Sequence, residues 1–204
     1  MDTTGTPHLP PLLRPLPIAA GSAFDAARAQ ARAGAEPGTL VWVRRPDRLD
    51  CAVVLAPDRP LADTRLSLPV FMLALADALG ALGPPRTAVS FRRPGRIVVN
   101  GAEVGGVRFA TAPDTAEDAI PGWAVVGAGI DVLGTPEDDS PGRHPDRTAL
   151  REEGFGDLAV PDLLESVGRH LLSWLDVWET EGPAPVRHAW RRRLDPGEPA
   201  DGNE

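Results

Sequence analysis

The chain has 204 residues, 42% of them hydrophobic and 25% charged, which suits one ordinary globular domain able to bury a core. A formal net charge of −8 argues against nucleic acid as the main partner, because phosphate binding needs a basic surface. All 21 basic residues are arginine, so lysine chemistry is excluded, and the single cysteine excludes an internal disulfide and fits a reducing cytoplasm.

Residues 1–20 are rich in proline and are expected to form a flexible arm. No secretory leader is expected, and Pro10 to Ala20 is too short and too broken by prolines to span a membrane. Ser22 and Asp25 outline a helix start, and a helix is predicted over Ala23 to Ala33, with Phe24, Ala27 and Ala31 as its buried stripe. Thr39 to Val43 and Ala52 to Ala56 are predicted strands. Between them lies a turn, Arg44 to Asp50. Its Arg44, Arg45 and Arg48 either contact phosphate, since guanidinium forks match phosphate oxygens, or decorate a solvated hairpin. Cys51 opens an apolar strand and is expected to be a buried, inert thiol.

The apolar run Leu66 to Leu82 contains Pro69, Asp77 and Gly80. It is read as a buried helix from Pro69 to Leu82, stopped by Gly83-Pro84-Pro85. Ala88 to Phe91 is a predicted strand. Arg96 to Val99 is β-branched and extended, and Asn100-Gly101 is a strong two-residue hairpin signal. The return strand carries Gly105-Gly106, where the absent Cβ permits close approach. Ala112 to Pro121 is an acidic loop. Val125 to Asp131 is a strand expected to end in a glycine-rich turn at Gly127-Ala128-Gly129.

Residues 134–146 read as a mobile excursion. Pro161 to Thr180 is a predicted amphipathic helix with Leu164, Val167, Leu171, Leu175 and Trp178 on one face, ended by Gly182-Pro183. His8, His144, His170 and His188 lack metal-ligand spacing, and no metal site is expected. Trp174, Trp178 and Trp190 are expected in the core. Residues 195–204 form a polar tail.

Several of these stretches resemble the catalytic domain of the biotin/lipoate protein ligases. In place of the family's W-P-N-D strand-turn-strand stands Arg93-Pro94-Gly95-Arg96, with only the proline kept, and in place of its R-K-(L/I)-(A/S)-G stands Ala102-Glu103-Val104-Gly105-Gly106. Its G-x-G-I-N is matched by Gly127-Ala128-Gly129-Ile130-Asp131 and its T-S-L-(R/K)-E-E-G by Thr148 to Gly154. Its closing E-G-x-A-P-x-x-x-x-W is matched by Glu181 to Trp190. The resemblance implies one ligase-like domain over residues 21–194. It also implies an α+β fold: a mixed, mainly antiparallel sheet with helices packed on one face, of the class II synthetase-like type. The site would lie on the concave sheet face.

The departures fall at the chemistry. Ser22 alone survives of the S-T-N-like helix start. The glycine-arginine loop is reduced to Arg44, Arg45 and Arg48, and the family lysine is replaced by Glu103. Arg96 and Arg108 are the candidate replacement cations. Gly105, Gly106, Gly127 and Gly129 are expected to line the pocket. Asp131, Asp114 or Glu117 are the candidate carboxylates for a nucleotide's metal. Phe24, Phe91 or Phe109 would plug an apolar tunnel if no ligand is bound. No residue is assigned as catalytic.

Two functions stay open. One is ATP- and magnesium-dependent activation of biotin or lipoate, with transfer to a lysine of a biotinyl or lipoyl carrier domain. The other is binding of such a small acid, or of a carrier domain, without chemistry. Neither a membrane nor nucleic acid is an expected partner.

Overall fold

The computed structural model describes residues 5–134 and 146–196. Most of the predicted 134–146 excursion, His144 and most of the polar tail lie outside the described residues.

Seven strands form one sheet. They are β1 (Arg14–Ile18), β2 (Thr39–Val43), β3 (Arg48–Leu55), β4 (Val89–Arg92), β5 (Arg96–Val99), β6 (Ala102–Thr111) and β7 (Ala124–Asp131). Their order is β1-β2-β3-β7-β6-β5-β4. β1 and β2 are parallel and every other pair is antiparallel, so the sheet is mixed and mainly antiparallel.

The helices are α1 (Ala23–Arg32), α2 (Leu61–Thr64), α3 (Ser67–Leu82), α4 (Val160–Glu181) and α5 (Pro183–Arg191). A π-type turn, Arg151–Phe155, precedes α4. Most of the helical mass lies on one sheet face. There α3 and α4 pack together over Leu49, Cys51, Val53, Val126, Ala128 and Ile130, and fully bury Phe71 and Phe91. Each such buried side chain stabilises the fold by about 1.5–3 kcal/mol. Among the described residues only α1 packs on the other face. It packs Ala23, Phe24, Ala27 and Ala31 against Val41, Val43, Ala52, Val54 and Val125. The remainder of that face, towards β5 and the ends of β3 and β7, carries no helix among the described residues.

Three expectations are corrected. The arm is not loose over its last residues: Arg14–Ile18 is an edge strand, and Leu13 is buried. Arg14 donates its N–H inward to the Gly38 carbonyl at 2.9 Å. Pro15 and Pro17, out of phase with it, place their missing donors on the open edge, where proline is tolerated. Next, β3 begins at Arg48, four residues before the predicted Ala52, because it pairs with β7 along its whole length from Arg48–Asp131 to Leu55–Ala124. Its first residues alternate polar and apolar, and Leu49 and Cys51 point into the larger core. Finally, Gly127-Ala128-Gly129 is not a turn. It lies inside β7, paired on both sides.

The Asn100-Gly101 hairpin has φ of 51° and 95°, the left-handed pair that a type I′ turn requires. A bulge follows at Ile97/Val98, where the register with β6 shifts by one. The chain after the long helix is also helical: Gly182 breaks it at φ 81°, and Pro183 then opens α5. Asp195 ties the chain end to the other sheet edge. Its N–H donates to the Phe91 carbonyl at 2.8 Å, and its carboxylate accepts from Arg92 Nε at 2.7 Å.

One helical stretch, Leu61–Leu82, is apolar and long enough to cross a membrane, with mean hydropathy 1.6. It is the buried helix expected from the sequence, and α3 forms the centre of the larger core.

Candidate functional site

Strand alternation decides which side chains reach the uncovered half-face. On β3 they are Arg48 and Asp50. Opposite them on β7 stand Asp131 and Gly129. On β6, Gly106 faces Gly129 and Arg108 faces Gly127. On β5, Arg96 faces Gly106, and after the bulge Glu103 stands opposite Val98, which shares the side of Arg96. Thus Arg48, Arg96, Glu103, Gly106, Arg108, Gly127, Gly129 and Asp131 are brought to one surface. Ser22, at the N-terminus of α1, borders it.

The arginines are not equivalent. Arg48 is paired with Asp131, which also lies 3.4 Å from Arg147. Arg45 donates through Nε to Asp47 at 2.8 Å within the turn, and this pairing holds the Asp47 carboxyl below the usual range. Arg44 is exposed and makes no ion pair among the described residues. The expected three-arginine turn is therefore divided: Arg44 and Arg45 stay on it, while Arg48 belongs to β3.

Glu103 does not confront an anion alone. Its carboxylate accepts from Arg96 at 2.7 Å. The backbone of Glu103 is clamped on both sides: its N–H donates to the Asp146 carbonyl at 2.7 Å, and its carbonyl accepts from Thr148 at 2.9 Å. Arg96 is thereby committed to Glu103 and is not a free substitute for the missing lysine. Arg108 differs. Its guanidinium lies 4.4 Å from the centre of the Phe24 ring, and one nitrogen is 3.5 Å from Ser22 Oγ. Among the described residues it has no carboxylate in ion-pair contact.

Ser22 also caps α1, accepting the Asp25 N–H at 3.2 Å. Of the three candidate plugs, Phe91 is fully buried in the larger core, and Phe109 faces that side because it stands opposite Val126. Only Phe24 borders the uncovered half-face, beneath Arg108.

The four glycines mainly serve the sheet. A Cβ on Gly105, whose φ is 146°, would run into the Gly129 carbonyl. One on Gly127 would meet the Cys51 carbonyl at 2.6 Å, and one on Gly106 the Gly95 carbonyl at 2.8 Å. Gly127 is also approached by the Ala52 methyl, and Gly129 by a charged side chain: the Arg48 guanidinium carbon lies 3.0 Å from where its Cβ would be.

Sequence reasoning missed Asp50 and Arg147. Asp50 is half-buried on β3, two residues after Arg48. Burial pushes its carboxyl above the ordinary range. The alternation Arg48-Leu49-Asp50-Cys51 marks it once the strand is seen to start at Arg48. Arg147 is placed by the segment that clamps Glu103, which spacing alone does not reveal.

The donor set suits an anion rather than a metal. No group of three or more His, Cys, Asp or Glu among the described residues is placed to hold a metal ion. Asp131 is engaged by two arginines, and Glu117 pairs with Arg65 at 2.6 Å away from this face. Cys51 is fully buried, and burial pushes its thiol up to about 12, which leaves it inert as a nucleophile.

Comparisons with known proteins bear on the family and the fold. Residues 9–192 match the model of the biotin/lipoate A/B protein ligase family. A biotin–[acetyl-CoA-carboxylase] ligase of Paracoccus denitrificans is 30% identical over 186 residues, covering 89% of this chain and 74% of that protein. The crystal structure of a biotin protein ligase-like protein of unknown function from Silicibacter sp. TM1040 is 37% identical, with a TM-score of 0.86 over 95% of this chain and 83% of its own. The biotin protein ligase of Aquifex aeolicus, in complex with biotin and ATP, shares the fold at 16% identity. Its TM-score is 0.67 over 89% of this chain and 78% of its own. The match along nearly the whole chain, on a sheet whose uncovered half-face gathers the expected motifs, means that this chain belongs to the biotin/lipoate A/B protein ligase family.

Proposed function

We propose that the chain binds a biotinyl- or lipoyl-adenylate on the uncovered half-face of the sheet and acts as an ATP-dependent ligase towards a carrier-domain lysine. In this reading Arg108 supplies the positive charge that the family lysine gives. The reaction brings a carboxylate and an α-phosphate together, so two anionic groups need a cation between them. The observation that carries the reading is Arg108 itself, a guanidinium on this face held by a hydroxyl and a ring rather than by an ion-paired carboxylate. Pairing of Glu103 with Arg96 supports it by offsetting the added negative charge. The nucleotide would bring its magnesium with its phosphates, and the chain would contribute arginines. The single buried cysteine fits a reducing cytoplasm as the place of work.

A second reading, binding without chemistry, is favoured by one observation. Arg48, Arg96 and Arg45 are all engaged by the chain's own carboxylates, so less positive charge is available to a transition state.

Pyrophosphate exchange separates the two. With ATP and biotin, or ATP and lipoate, the ligase reading expects exchange of label into ATP by the wild type, lost in Arg108→Ala. Adenylate binding with no exchange for either acid would leave the second reading. Absence of both would end the two together.

A further inference from the structure

Asp131 ends β7 with its side chain on the uncovered half-face, opposite Arg48 in the register. Two arginines from separate segments converge on it. Arg48 reaches Asp131 Oδ1 through Nη1, and Arg147 Nη2 lies 3.4 Å from Asp131 Oδ2. Backbone places both. The Arg48 guanidinium lies against β7 at Gly129, in space that any Cβ would fill. Arg147 is carried by a short segment laid beside β6. The Glu103 N–H donates to the Asp146 carbonyl at 2.7 Å, and the Thr148 N–H donates to the Glu103 carbonyl at 2.9 Å. Residues 146–148 therefore take up the pairing with β6 just past the end of β7, which stops at Gly105–Ile130. This sets Arg147 beside Asp131.

Two guanidinium groups share one carboxylate, so the cluster keeps a net positive charge. Each arginine gives one nitrogen to Asp131 and has further N–H donors left. The side chain of Asp131 is 23% exposed and that of Arg147 59%, so the cluster opens to solvent on the face where a ligand would lie. Guanidinium forks match carboxylate and phosphate oxygens alike. A carboxylate between two forks therefore stands where a phosphoryl group of a ligand would be held.

We propose that Asp131 is an internal competitor for the ligand's anionic group. It holds Arg48 and Arg147 in the free protein, and an incoming phosphoryl group must draw them away. Asp131 thus weakens binding and sets how strongly the site selects for negative charge. This rests on the reading that the half-face binds an adenylate-type ligand. Replacing the carboxylate by an amide leaves an oxygen that still accepts from Arg48 and keeps it against Gly129, but removes the charge that rivals the ligand.

The test is calorimetric titration of the purified protein with two biotinyl- or lipoyl-adenylate analogues, one with a negatively charged linking group and one with a neutral one. Circular dichroism checks the fold, and Asp131→Ser repeats the test with a second uncharged side chain. Asp131→Asn is expected to bind the charged analogue about tenfold more tightly than the wild type, the scale of one charge-assisted hydrogen bond. Its affinity for the neutral analogue should change little. Arg147→Ala should weaken binding of the charged analogue by less than about threefold in the wild type, where Asp131 holds Arg147. In Asp131→Asn the same change should cost about tenfold, because the ligand then holds it. Asp50→Asn is the control. It removes a charge from the same face, opposite Gly129, with no arginine in ion-pair contact among the described residues to release. Unchanged affinity for the charged analogue in a folded Asp131→Asn overturns the inference, as does equal tightening for both analogues or tightening matched by Asp50→Asn. Each of these leaves the adenylate reading intact where the wild type binds. Binding by Asp131→Asn alone supports the inference and overturns the adenylate reading for the wild type. No binding by either overturns both.

Discussion

Arg108→Ala is expected to bind a biotinyl- or lipoyl-adenylate analogue about 10- to 100-fold more weakly than the wild type while remaining folded. A hydrogen bond to a charged group contributes about 1.5–3 kcal/mol net, and about 1.4 kcal/mol is tenfold in affinity. The fold loses little, because Arg108 contributes mainly its contact with the Phe24 ring, worth about 0.5–1 kcal/mol at a partly exposed position. Arg108→Lys should recover part of the affinity, since it keeps the charge and loses the fork. Titration calorimetry, with circular dichroism as the folding check, measures both. Unchanged affinity in a folded Arg108→Ala would remove Arg108 from the site.

Arg96→Ala weakens binding for a different reason. It leaves Glu103 as an uncompensated carboxylate on the same face. The two arginines therefore separate in a double variant with Glu103→Gln, which rescues Arg96→Ala and does not rescue Arg108→Ala.

Gly105→Ala is expected to destabilise the fold by about 3 kcal/mol or more, whether or not a ligand is present. Two costs combine. A φ of 146° is strained for an L-residue, at about 1–3 kcal/mol. The new Cβ also runs into the Gly129 carbonyl on β7, in the middle of the sheet, where backbone cannot shift without breaking the ladder. Gly101→Ala is the control. It too has positive φ, at 95°, but nothing lies within 4 Å of its Cβ, so it should lose only the backbone share. Urea unfolding measures the pair. A Gly105→Ala loss no larger than that of Gly101→Ala would mean that the glycine does not serve strand packing.

That contrast shows how the glycines divide sequence from structure. Gly105, Gly106, Gly127 and Gly129 announce close approach in the sequence, and close approach occurs. What approaches is mostly other backbone, which a sequence cannot name, because the neighbour of Gly127 is Ala52 and the neighbour of Gly106 is Gly95. The hairpin at Asn100-Gly101 was legible because two adjacent residues determine it. The long helix was legible because Leu164, Val167, Leu171, Leu175 and Trp178 repeat at helical spacing over about four turns. Strand β3 was legible only in part. Arg48 and Asp50 look like loop residues until they are seen to share a polar face of the sheet. The same polarity that hid the strand start marks the candidate site.

The chemistry was least legible of all. Glu103 in the family lysine position reads as repulsion when taken alone. Its pairing with Arg96 depends on the register between β5 and β6, which a bulge resets by one residue. Arg108 is distinguished from Arg96 only by its partners, Ser22 and Phe24, which lie 86 and 84 positions away in the chain.

The most direct test of the whole account is titration of the purified wild-type protein with biotinyl- and lipoyl-adenylate analogues at pH 7 and low salt. The account predicts saturable binding of at least one of them, at one site per chain, with a dissociation constant in the micromolar range or below. Absence of saturable binding by either analogue, in a protein shown to be folded, would contradict the assignment of the uncovered half-face as an adenylate site.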